Sequence, residues 1–497
     1  MEGPARVQLL DLLDGIAPLH IEGDPSVDVR TIEYDSRRVH AGACFACLPG
    51  ARTDGHLHAA EAVAAGAVAL LVERPLGLGV PEVRLPGVRA AVGPLAARLA
   101  GNPSRAMRCV GVTGTNGKTT TTYLLAAIAQ VDDGPAGLIG TTGARIGERV
   151  LPIGFTTPEA PDLQTLLATM RGAGVRTVAM EVSSHALAQH RVDGTWFAAA
   201  CFTNLSQDHL DYHATMDEYF GAKAALFDPE RCGVGVTNLD CPHGREIHRR
   251  ARASGLPVLT YGRDDPRADV GVEAVHHHGG GSTFVLVDRR AQARCEVVLS
   301  LIGPVNVVNA LAAAATARAL DEPLESIACG LAAVASIPGR LERVDVDRPF
   351  TVLVDYAHTP DALRQAITAA RSLADGHRVT IVFGCGGDRD PGKRPAMGDA
   401  AAAADRVIVT SDNPRSEDPA TIAAAAARGA RAAGAAPVVE LDRRAAIAGA
   451  LASAEPGDVV LIAGKGHETG QTTGSVTVPF DDRRVVRELL GAEGAGS

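Results

Sequence analysis

The sequence predicts an α/β protein of three domains, and three observations lead to this prediction. Its 497 residues exceed one ordinary core and, at roughly 150 residues per domain, divide into about three. Apolar strands alternate with helix-like segments, a pattern typical of parallel sheets with helices on both faces. A glycine-rich turn joins one of these strands to a helix, as in phosphate-binding loops.

The first predicted domain, an α/β domain, spans residues 1–104. Its short apolar strands lie in DVRTIEYDSRRV, GACFACLPG and AVALLVE, and a linker begins at Gly101. Cys44 and Cys47 are three residues apart in one apolar run, so on a strand they point to opposite faces. We therefore expect two buried thiols there, with neither a disulfide nor a shared metal.

The central domain is predicted to span residues 105–338 and to have a P-loop ATPase fold. The strand RCVGVTG leads into the helix NGKTTTTYLLAAIAQ, and further buried strands are expected at TVAMEV, AAACFTNL and GVGVTNL. Residues 242–300 are expected to form a hairpin-bearing insertion. Its three histidines, 276–278, alternate faces on a strand, which disfavours a metal site.

The third domain, residues 339–497, is predicted to be a doubly wound, Rossmann-like unit. Its strands are expected at FTVLVD, RVTIVFG, DRVIVTS and DVVLIAG. Ligands of such sheets bind outside the carboxyl ends of the strands. Asp355, Arg389, residues 412–415 and residues 464–468 directly follow these strands, so we expect their loops to meet in one crevice.

Composition limits the classes of function. With 46% hydrophobic and 21% charged residues, the chain is typical of a soluble globular protein. A net charge of -10 disfavours nucleic-acid binding, which needs a basic face. No stretch reaches the ~18 apolar residues of a membrane span, and no signal peptide is recognisable. We expect a cytoplasmic monomer with reduced thiols and no membrane insertion.

The glycine-rich turn predicts a nucleotide site. Its backbone N–H groups and the following helix can cradle phosphates, Lys118 can bind the β- and γ-phosphates, and Thr119 can bind Mg²⁺. Val112 occupies the position of the first glycine of the usual P-loop pattern, so this is a variant. The Asn-Lys-x-Asp motif of switch GTPases is absent, which favours ATP. The expected ATP-binding residues of the turn are Gly114, Thr115, Asn116, Gly117, Lys118, Thr119 and Thr120.

Four longer motifs resemble the Mur ligase family over nearly the whole chain: GVTGTNGKTTTT, MEVSSHAL, TNLSQDHLDYH and VDYAHTPDAL. The loops FGCGGDRDPGKRP, SDNPRSEDP and GKGHE are similar to those of the family branch that adds diaminopimelate. The resemblance implies an ATP- and Mg²⁺-dependent ligase of peptidoglycan biosynthesis. It would join meso-2,6-diaminopimelate to the D-glutamate γ-carboxylate of UDP-N-acetylmuramoyl-L-alanyl-D-glutamate through an acyl phosphate.

The same resemblance assigns roles to individual residues. It implies that the first domain binds the UDP moiety and that the third receives the amino acid. Contacts to the UDP-linked substrate are implied for Ser36, Thr156, Thr157, Ser183, Gln189 and Arg191. Contacts to ATP are implied for Asn306, Asn309, Arg340 and Asp355. Metal ligands are implied to be Thr119, Glu181, His209 and Lys223, the last as a carbamate, and the last three join Lys118 as the catalytic set.

The second carboxylate of diaminopimelate explains why arginines are expected in the third domain. Arg415 or Arg389 can bind that carboxylate in a bidentate manner, and Glu468 can bind the neighbouring amine. An arginine left unpaired by L-lysine would make lysine a poor substrate. The full set expected to bind diaminopimelate is Arg389, Asp412, Asn413, Pro414, Arg415, Gly464 and Glu468.

Two other functions are open at this point. A folylpolyglutamate synthase-like ligase shares the ATPase core, but the resemblance implies that such an enzyme lacks the UDP-binding domain and the Asp-Asn-Pro-Arg motif. A Mur-like paralogue without this activity would keep the fold alone. The presence of Lys118, Glu181, Lys223 and Arg415 argues against the paralogue.

Overall fold

The N-terminal part is built on a small sheet. The computed structural model describes residues 6–50 and 53–491. The first elements are β1 (Val7–Gln8), α1 (Leu9–Leu12), β2 (His20–Glu22), β3 (Asp28–Val29), β4 (Thr31–Glu33), β5 (Ala43–Ala46), α2 (Ala59–Ala64), β6 (Ala69–Val72), β7 (Glu82–Arg84) and α3 (Val88–Leu99). The main sheet has the order β2-β7-β6-β5-β4, and β1 pairs with β3 beside it. Cys44 and Cys47 are buried free thiols in separate apolar clusters, as predicted.

The central part contains an eleven-stranded sheet. Its elements are β8 (Arg108–Thr113), α4 (Lys118–Asp133), β9 (Gly137–Gly140), β10 (Gly143–Ile146), β11 (Arg149–Leu151), α5 (Ala160–Gly172), β12 (Thr177–Glu181), α6 (Ser184–Ala188), β13 (Phe197–Phe202), α7 (Met216–Ala224), β14 (Cys232–Asn238), α8 (Pro242–Ala253), β15 (Val258–Tyr261), β16 (Val270–His278), β17 (Gly281–Asp288), β18 (Ala293–Leu299), α9 (Pro304–Arg318) and α10 (Leu324–Ala333). The order is β11-β10-β9-β12-β8-β13-β14-β15-β16-β17-β18, so β8 lies between β12 and β13. Both neighbours are parallel to β8, and an apolar cluster covers each face of the sheet.

The C-terminal part is doubly wound. Its elements are β19 (Glu342–Arg343), β20 (Thr351–Asp355), α11 (Pro360–Ala374), β21 (Val379–Phe383), α12 (Lys393–Ala401), β22 (Arg406–Val409), α13 (Pro419–Ala432), β23 (Val438–Val439), α14 (Arg443–Ala452), β24 (Val459–Ala463), β25 (Gly470–Thr473), β26 (Val476–Pro479) and α15 (Asp482–Leu489). The sheet order is β19-β20-β24-β21-β22-β23. Strands β20, β24, β21 and β22 are parallel neighbours, so the loops at their carboxyl ends lie side by side. The mixed α/β fold class is confirmed, and the predicted domain limits at 104 and 338 stay predictions.

The expected insertion at 242–300 is wrong in one respect. The hairpins are present, but β15 to β18 extend the central sheet itself, because β15 pairs with β14 and β16 begins beside β15. The three histidines lie on β16 with exposed side chains. Each histidine pairs in register with a residue of β17, and β15 to β18 form one end of the main sheet.

Carboxylates join the N-terminal and central parts. The Tyr34 hydroxyl donates to Asp162 Oδ2 at 2.6 Å, and the Arg38 guanidinium donates to Asp162 Oδ1 at 2.8 Å. Nearby, Arg89 pairs with Glu159 at 3.4 Å. Glu159 is the N-cap residue of α5 and Asp162 lies in its first turn, so this helix links the N-terminal part to the central part. Within the described ranges, no helix is long and apolar enough to cross a membrane.

Candidate active site

The P-loop turn lies at the centre of the large sheet, between β8 and α4. Gly114 and Gly117 have φ values of +149° and +85°, which side chains rarely adopt. A Cβ at Gly114 would overlap the Thr203 hydroxyl, and one at Gly117 would overlap the Asn309 amide oxygen. The backbone therefore follows a path that only glycine allows, and its N–H groups can approach a phosphate closely.

Two lysines share one carbonyl beneath this turn. Lys118 Nζ donates to Gly114 O and Thr115 O, each at 2.9 Å, and Lys223 Nζ donates to Gly114 O at 2.9 Å. Burial lowers the pKa of Lys118. Burial, together with the charge of Lys118, lowers the pKa of Lys223 well below its ordinary value. Two close cations repel each other, so the charge of Lys118 disfavours the charged form of Lys223.

One cavity of about 520 Å³ collects most of the predicted residues. It lies between the central and C-terminal sheets. The predicted residues that line it are Thr115, Asn116, Gly117, Lys118, Thr119, Thr120, Thr156, Thr157, Glu181, Ser183, Arg191, His209, Asn306, Asn309, Arg340, Asp355 and Arg389. The cavity thus unites the nucleotide residues with most of those expected to hold the UDP-linked substrate.

Arg340 links the C-terminal part to the P-loop. Its Nη2 donates to the Thr119 hydroxyl at 2.8 Å, and its guanidinium stacks over Tyr356, 4.8 Å from the ring centroid. Within the described chain, the buried Arg340 Nε has no hydrogen-bond partner, which suits an anionic ligand such as a phosphate. Asp355 accepts from the backbone N–H groups of Leu341 and Ala357 at 2.7 and 2.8 Å, so it holds the segment that carries Arg340.

Asn306 and Asn309 lie in the first turns of α9. The Asn309 amide donates to Asn306 Oδ1 at 3.0 Å, and Asn306 donates to Ile302 O at 2.8 Å. Both side chains are buried, and Asn309 contacts the P-loop at Gly117. Together with the P-loop and Arg340, they line the same cavity.

The predicted metal ligands are dispersed around the cavity. Glu181, at the end of β12, accepts from the backbone N–H and hydroxyl of Thr141 at 2.8 and 3.1 Å. Among the described residues, no three His, Cys, Asp or Glu side chains are close enough to hold a metal alone. Mg²⁺ commonly takes one or two protein oxygens together with substrate phosphates. The Glu181 carboxylate and Thr119 hydroxyl, which face the same cavity as Lys118, fit that kind of site.

Asp208 joins the two halves of the cavity and was not predicted. Lys393 Nζ donates to Asp208 Oδ1 at 3.4 Å, and His358 Nε2 and His209 Nε2 lie 3.5 and 3.4 Å from Oδ2. Burial alone would raise the pKa of Asp208, but His358, His209 and Lys393 lower it well below its ordinary value. Burial lowers the pKa of His209 to about 3. The Asp208 carboxylate therefore stays charged and attracts the C-terminal Lys393.

The residues expected to hold the muramoyl dipeptide form one hydrogen-bonded wall. Thr157 Oγ1 donates to Glu181 O at 2.8 Å and accepts from Ser183 N at 3.2 Å. Arg191 donates to Thr157 O at 3.2 Å and to Gln189 Oε1 at 2.6 Å. Ser183 also caps α6 by accepting from Ala186 N at 3.1 Å. Gln189 itself lies outside the cavity lining, as a support for Arg191.

Ser36 is separated from this cavity. It lies on a short 3-10 turn, where its hydroxyl donates to Glu61 at 3.2 Å. A second cavity, of about 490 Å³, is lined by residues that include Tyr34, Arg38, Phe155 and Asp162. Phe155 lines both cavities, so they adjoin.

The loops expected to bind the amino acid do meet at one sheet edge. Asn413 Nδ2 donates to Glu468 Oε2 at 2.9 Å, which joins the loops after β22 and β24. Arg415 Nη1 donates to Gly387 O at 2.5 Å, and the Arg415 and Arg389 side chains both lie close to Gly386. Gly464 has φ +113°, and a Cβ there would lie against the Asp412 carboxylate. Of the predicted set, only Arg389 lines the large cavity; Asp412, Asn413, Pro414, Arg415, Gly464 and Glu468 lie beside it.

Two lysines important to this geometry were missed by sequence reasoning. The Lys465 side chain is fully buried and donates to Asn413 Oδ1 and Glu468 Oε2 at 3.3 and 3.2 Å. Lys393 is the partner of Asp208 described above. Lys465 lies in the loop GKGHE and Lys393 in the loop DRDPGKRP. The acidic residues near each lysine in these loops were the sequence feature that could have indicated an ion pair. Lys223 and Gly114, in contrast, were predicted but lie beneath the cavity lining.

Comparison with known proteins covers all three parts of the chain. The Mur ligase middle domain matches residues 112–317, the Mur ligase glutamate ligase domain matches residues 339–466, and the Mur ligase family catalytic domain matches residues 28–98. A UDP-N-acetylmuramoyl-L-alanyl-D-glutamate–2,6-diaminopimelate ligase of Geobacillus kaustophilus (strain HTA426) is 45% identical over 496 residues, which is 98% of this chain and 100% of the relative.

Solved structures agree in fold. A structure of a UDP-N-acetylmuramoyl-L-alanyl-D-glutamate–2,6-diaminopimelate ligase aligns with a TM-score of 0.70 at 35% identity, over 98% of this chain and 99% of that one. Mycobacterium tuberculosis folylpolyglutamate synthase, complexed with ADP and AMPPCP, aligns with a TM-score of 0.60 at 20% identity, over 80% of this chain and 94% of that one. The second likeness concerns the fold alone.

Proposed function

We propose that this chain, which belongs to the Mur ligase family, is an ATP-dependent ligase of peptidoglycan biosynthesis. It joins 2,6-diaminopimelate to the D-glutamate γ-carboxylate of UDP-N-acetylmuramoyl-L-alanyl-D-glutamate. The observation that carries this proposal is the meeting of the P-loop cavity with a neighbouring group of arginine and glutamate loops. That arrangement supports the activation of an anion next to the binding of an amine that carries extra carboxylates.

The reaction needs activation of a carboxylate. In the proposed sequence, an oxygen of the γ-carboxylate attacks the γ-phosphorus of ATP, which releases ADP and leaves an acyl phosphate. The amine of diaminopimelate then attacks the acyl carbon, a proton leaves the nitrogen, and phosphate departs as the amide forms. ATP supplies the activation, so the protein contributes positioning and charge stabilisation and needs no covalent nucleophile.

Lys118 and Arg340 are proposed to bind the phosphates. Lys118 donates hydrogen bonds to the Gly114 and Thr115 carbonyls. When ATP binds, it can donate to phosphate oxygens instead. The unpartnered Arg340 Nε can donate to the same anion from the C-terminal part. Mg²⁺, held by Thr119 and Glu181 with His209 nearby, would offset the negative charge that gathers at the transferring phosphoryl group.

Lys223 is proposed to act as a carbamate. A neutral amine is the form that adds CO₂, and the depressed pKa of Lys223 supports that form. Carbamylation would place an anion beside the Lys118 ammonium, which adds an attraction and creates a further oxygen ligand. The proposal of a carbamate is supported by the hydrogen bonds that Lys118 and Lys223 both donate to Gly114 O.

The amino-acid site is proposed to select the meso stereoisomer. Arg415 and Arg389 flank the Gly386–Gly387 stretch, where one guanidinium can bind the distal carboxylate. Glu468 can bind the adjacent ammonium, because Asn413 and Lys465 already fix its carboxylate.

Ser36 and the cavity bounded by Tyr34 and Phe155 are proposed to receive the UDP end. A cytoplasmic monomer with domains 1–104, 105–338 and 339–497 completes the proposal.

Phosphate release tests this function directly. Purified protein is supplied with ATP, Mg²⁺ and the UDP-muramoyl dipeptide, and separately with meso-diaminopimelate, LL-diaminopimelate or L-lysine. Release with the meso acid is expected, and Arg415→Ala should lower kcat/KM about 100-fold because a charged hydrogen-bonding pair is lost. Arg428→Ala, at an exposed arginine of α13, is the matched control. Equal rates with L-lysine would contradict the selection, and an absence of release would contradict the function.

A folylpolyglutamate synthase-like activity is the alternative. That synthase aligns with 80% of this chain, whereas the diaminopimelate ligase structure aligns with 98%. The same assay distinguishes the two activities when a folate and L-glutamate replace the two substrates.

A further inference from the structure

The C-terminal hairpin β25–β26 supports the amino-acid loop, and this inference rests on the proposed function. We infer that Gln471 and the β25 backbone are positioning elements that set how selectively the enzyme binds diaminopimelate. They act through Arg415 and Asn413 and do not themselves belong to the group of residues that binds the amino acid.

Four hydrogen bonds tie β25 and the turn after it to residues 412–415. Gln471 Nε2 donates to Asp412 O at 2.8 Å, and Thr472 N donates to Asn413 Oδ1 at 2.9 Å. Arg415 N donates to Thr472 O at 3.1 Å, and Gly474 N donates to Arg415 O at 2.6 Å. Residues 412–415 thus pair with β25 like a short added strand, with a parallel bridge between Arg415 and Thr473.

The backbone of Arg415 explains why such support is needed. Its φ is +52°, in the left-handed region that a residue with a long side chain rarely adopts. Such a conformation persists only where surrounding contacts hold it. Because both the N–H and the carbonyl of Arg415 are bonded to the hairpin, the hairpin fixes the direction in which the guanidinium leaves the loop.

The hairpin contributes little to the core. All four residues of β26 are exposed, and Val476 and Val478 are 62% and 49% exposed. Its remaining side-chain link is an exposed hydroxyl pair, Thr472 with Thr477 at 2.9 Å. Since the hairpin buries little apolar surface, stabilisation of the whole domain does not account for its contacts, and support of the 412–415 loop does.

Gln471→Met tests the inference, because methionine keeps the length of the side chain and removes the donor to Asp412 O. The expected result is a rise of about tenfold in KM for meso-diaminopimelate, the effect of one lost hydrogen bond. KM for ATP and for the UDP-muramoyl dipeptide, and the melting temperature, should stay within error of the wild type. The ratio of kcat/KM for meso-diaminopimelate over L-lysine should fall.

Thr477→Val is the matched control, since it alters the same hairpin without a contact to residues 412–415. It should leave all three KM values unchanged. An unchanged diaminopimelate KM in Gln471→Met, or an equal rise in all three KM values, would overturn the inference. The proposed function fails separately, if the wild-type protein itself releases no phosphate with meso-diaminopimelate.

Discussion

The buried ion pair between Arg443 and Asp482 allows a quantitative prediction. Both side chains have no exposed surface. Arg443 Nε donates to Asp482 Oδ1 at 2.8 Å and Nη2 donates to Oδ2 at 2.7 Å. The same guanidinium donates to Ser411 O at 3.3 Å and Ala463 O at 3.1 Å, so it joins the strand ends that carry both amino-acid loops.

Asp482→Ala should destabilise the C-terminal part strongly. It leaves a fully buried guanidinium charge without its carboxylate, which costs about 3–5 kcal/mol. At about 2–4 °C per kcal/mol for a unit of this size, the melting temperature should fall by roughly 10 °C. Arg443→Met should cost a similar amount, because Asp482 and two carbonyl groups lose their donor.

Thermal unfolding and amide hydrogen exchange measure these effects. Exchange should accelerate in β22 and β24, whose ends Arg443 joins, and stay unchanged in the central sheet. The double variant Arg443→Met/Asp482→Leu should be more stable than either single variant, because no buried charge remains unpaired. A loss below about 1 kcal/mol for Asp482→Ala would refute this reasoning, since surface ion pairs contribute that little.

Three further predictions concern the cavity. Lys118→Ala should lower kcat for phosphate release by about 100-fold or more, because its charge acts on the transferring phosphoryl group. Unchanged binding of the UDP-linked substrate by calorimetry serves as the control. Chelation of divalent cations should stop turnover, and added Mg²⁺ should restore it, whereas activity that persists in chelator would exclude the proposed site at Thr119 and Glu181. Lys393→Met should lower kcat about tenfold, since it removes the ammonium that Asp208 attracts across the cavity. Small-angle scattering with a non-hydrolysable ATP analogue should then show a more open protein than the wild type, and an equally compact protein would contradict the role of Lys393 in joining the two parts.

Sequence by itself determined the fold class, and it predicted most of the residues that line the large cavity. The strand–glycine–helix pattern around Lys118 depends on local chemistry, because glycine adopts the positive φ at Gly117 without strain and an apolar run such as β8 is buried wherever it packs. The presence of parallel strands in the central and C-terminal sheets followed from the alternation of strands and helices. The meeting of the loops at 412–415 and 464–468 followed from the rule that the carboxyl ends of such strands share one edge.

Tertiary structure alone decided the supporting contacts. The pairing of Asp208 with Lys393 joins residues 185 positions apart, and no local pattern relates them. The burial of Lys465, the contact of Arg340 with Thr119, and the hold of β25 on Arg415 likewise depend on how separate sheets pack. Local propensity fixes elements and turns, whereas contacts between distant segments depend on the sum of many weak packing terms that a short window of sequence does not contain.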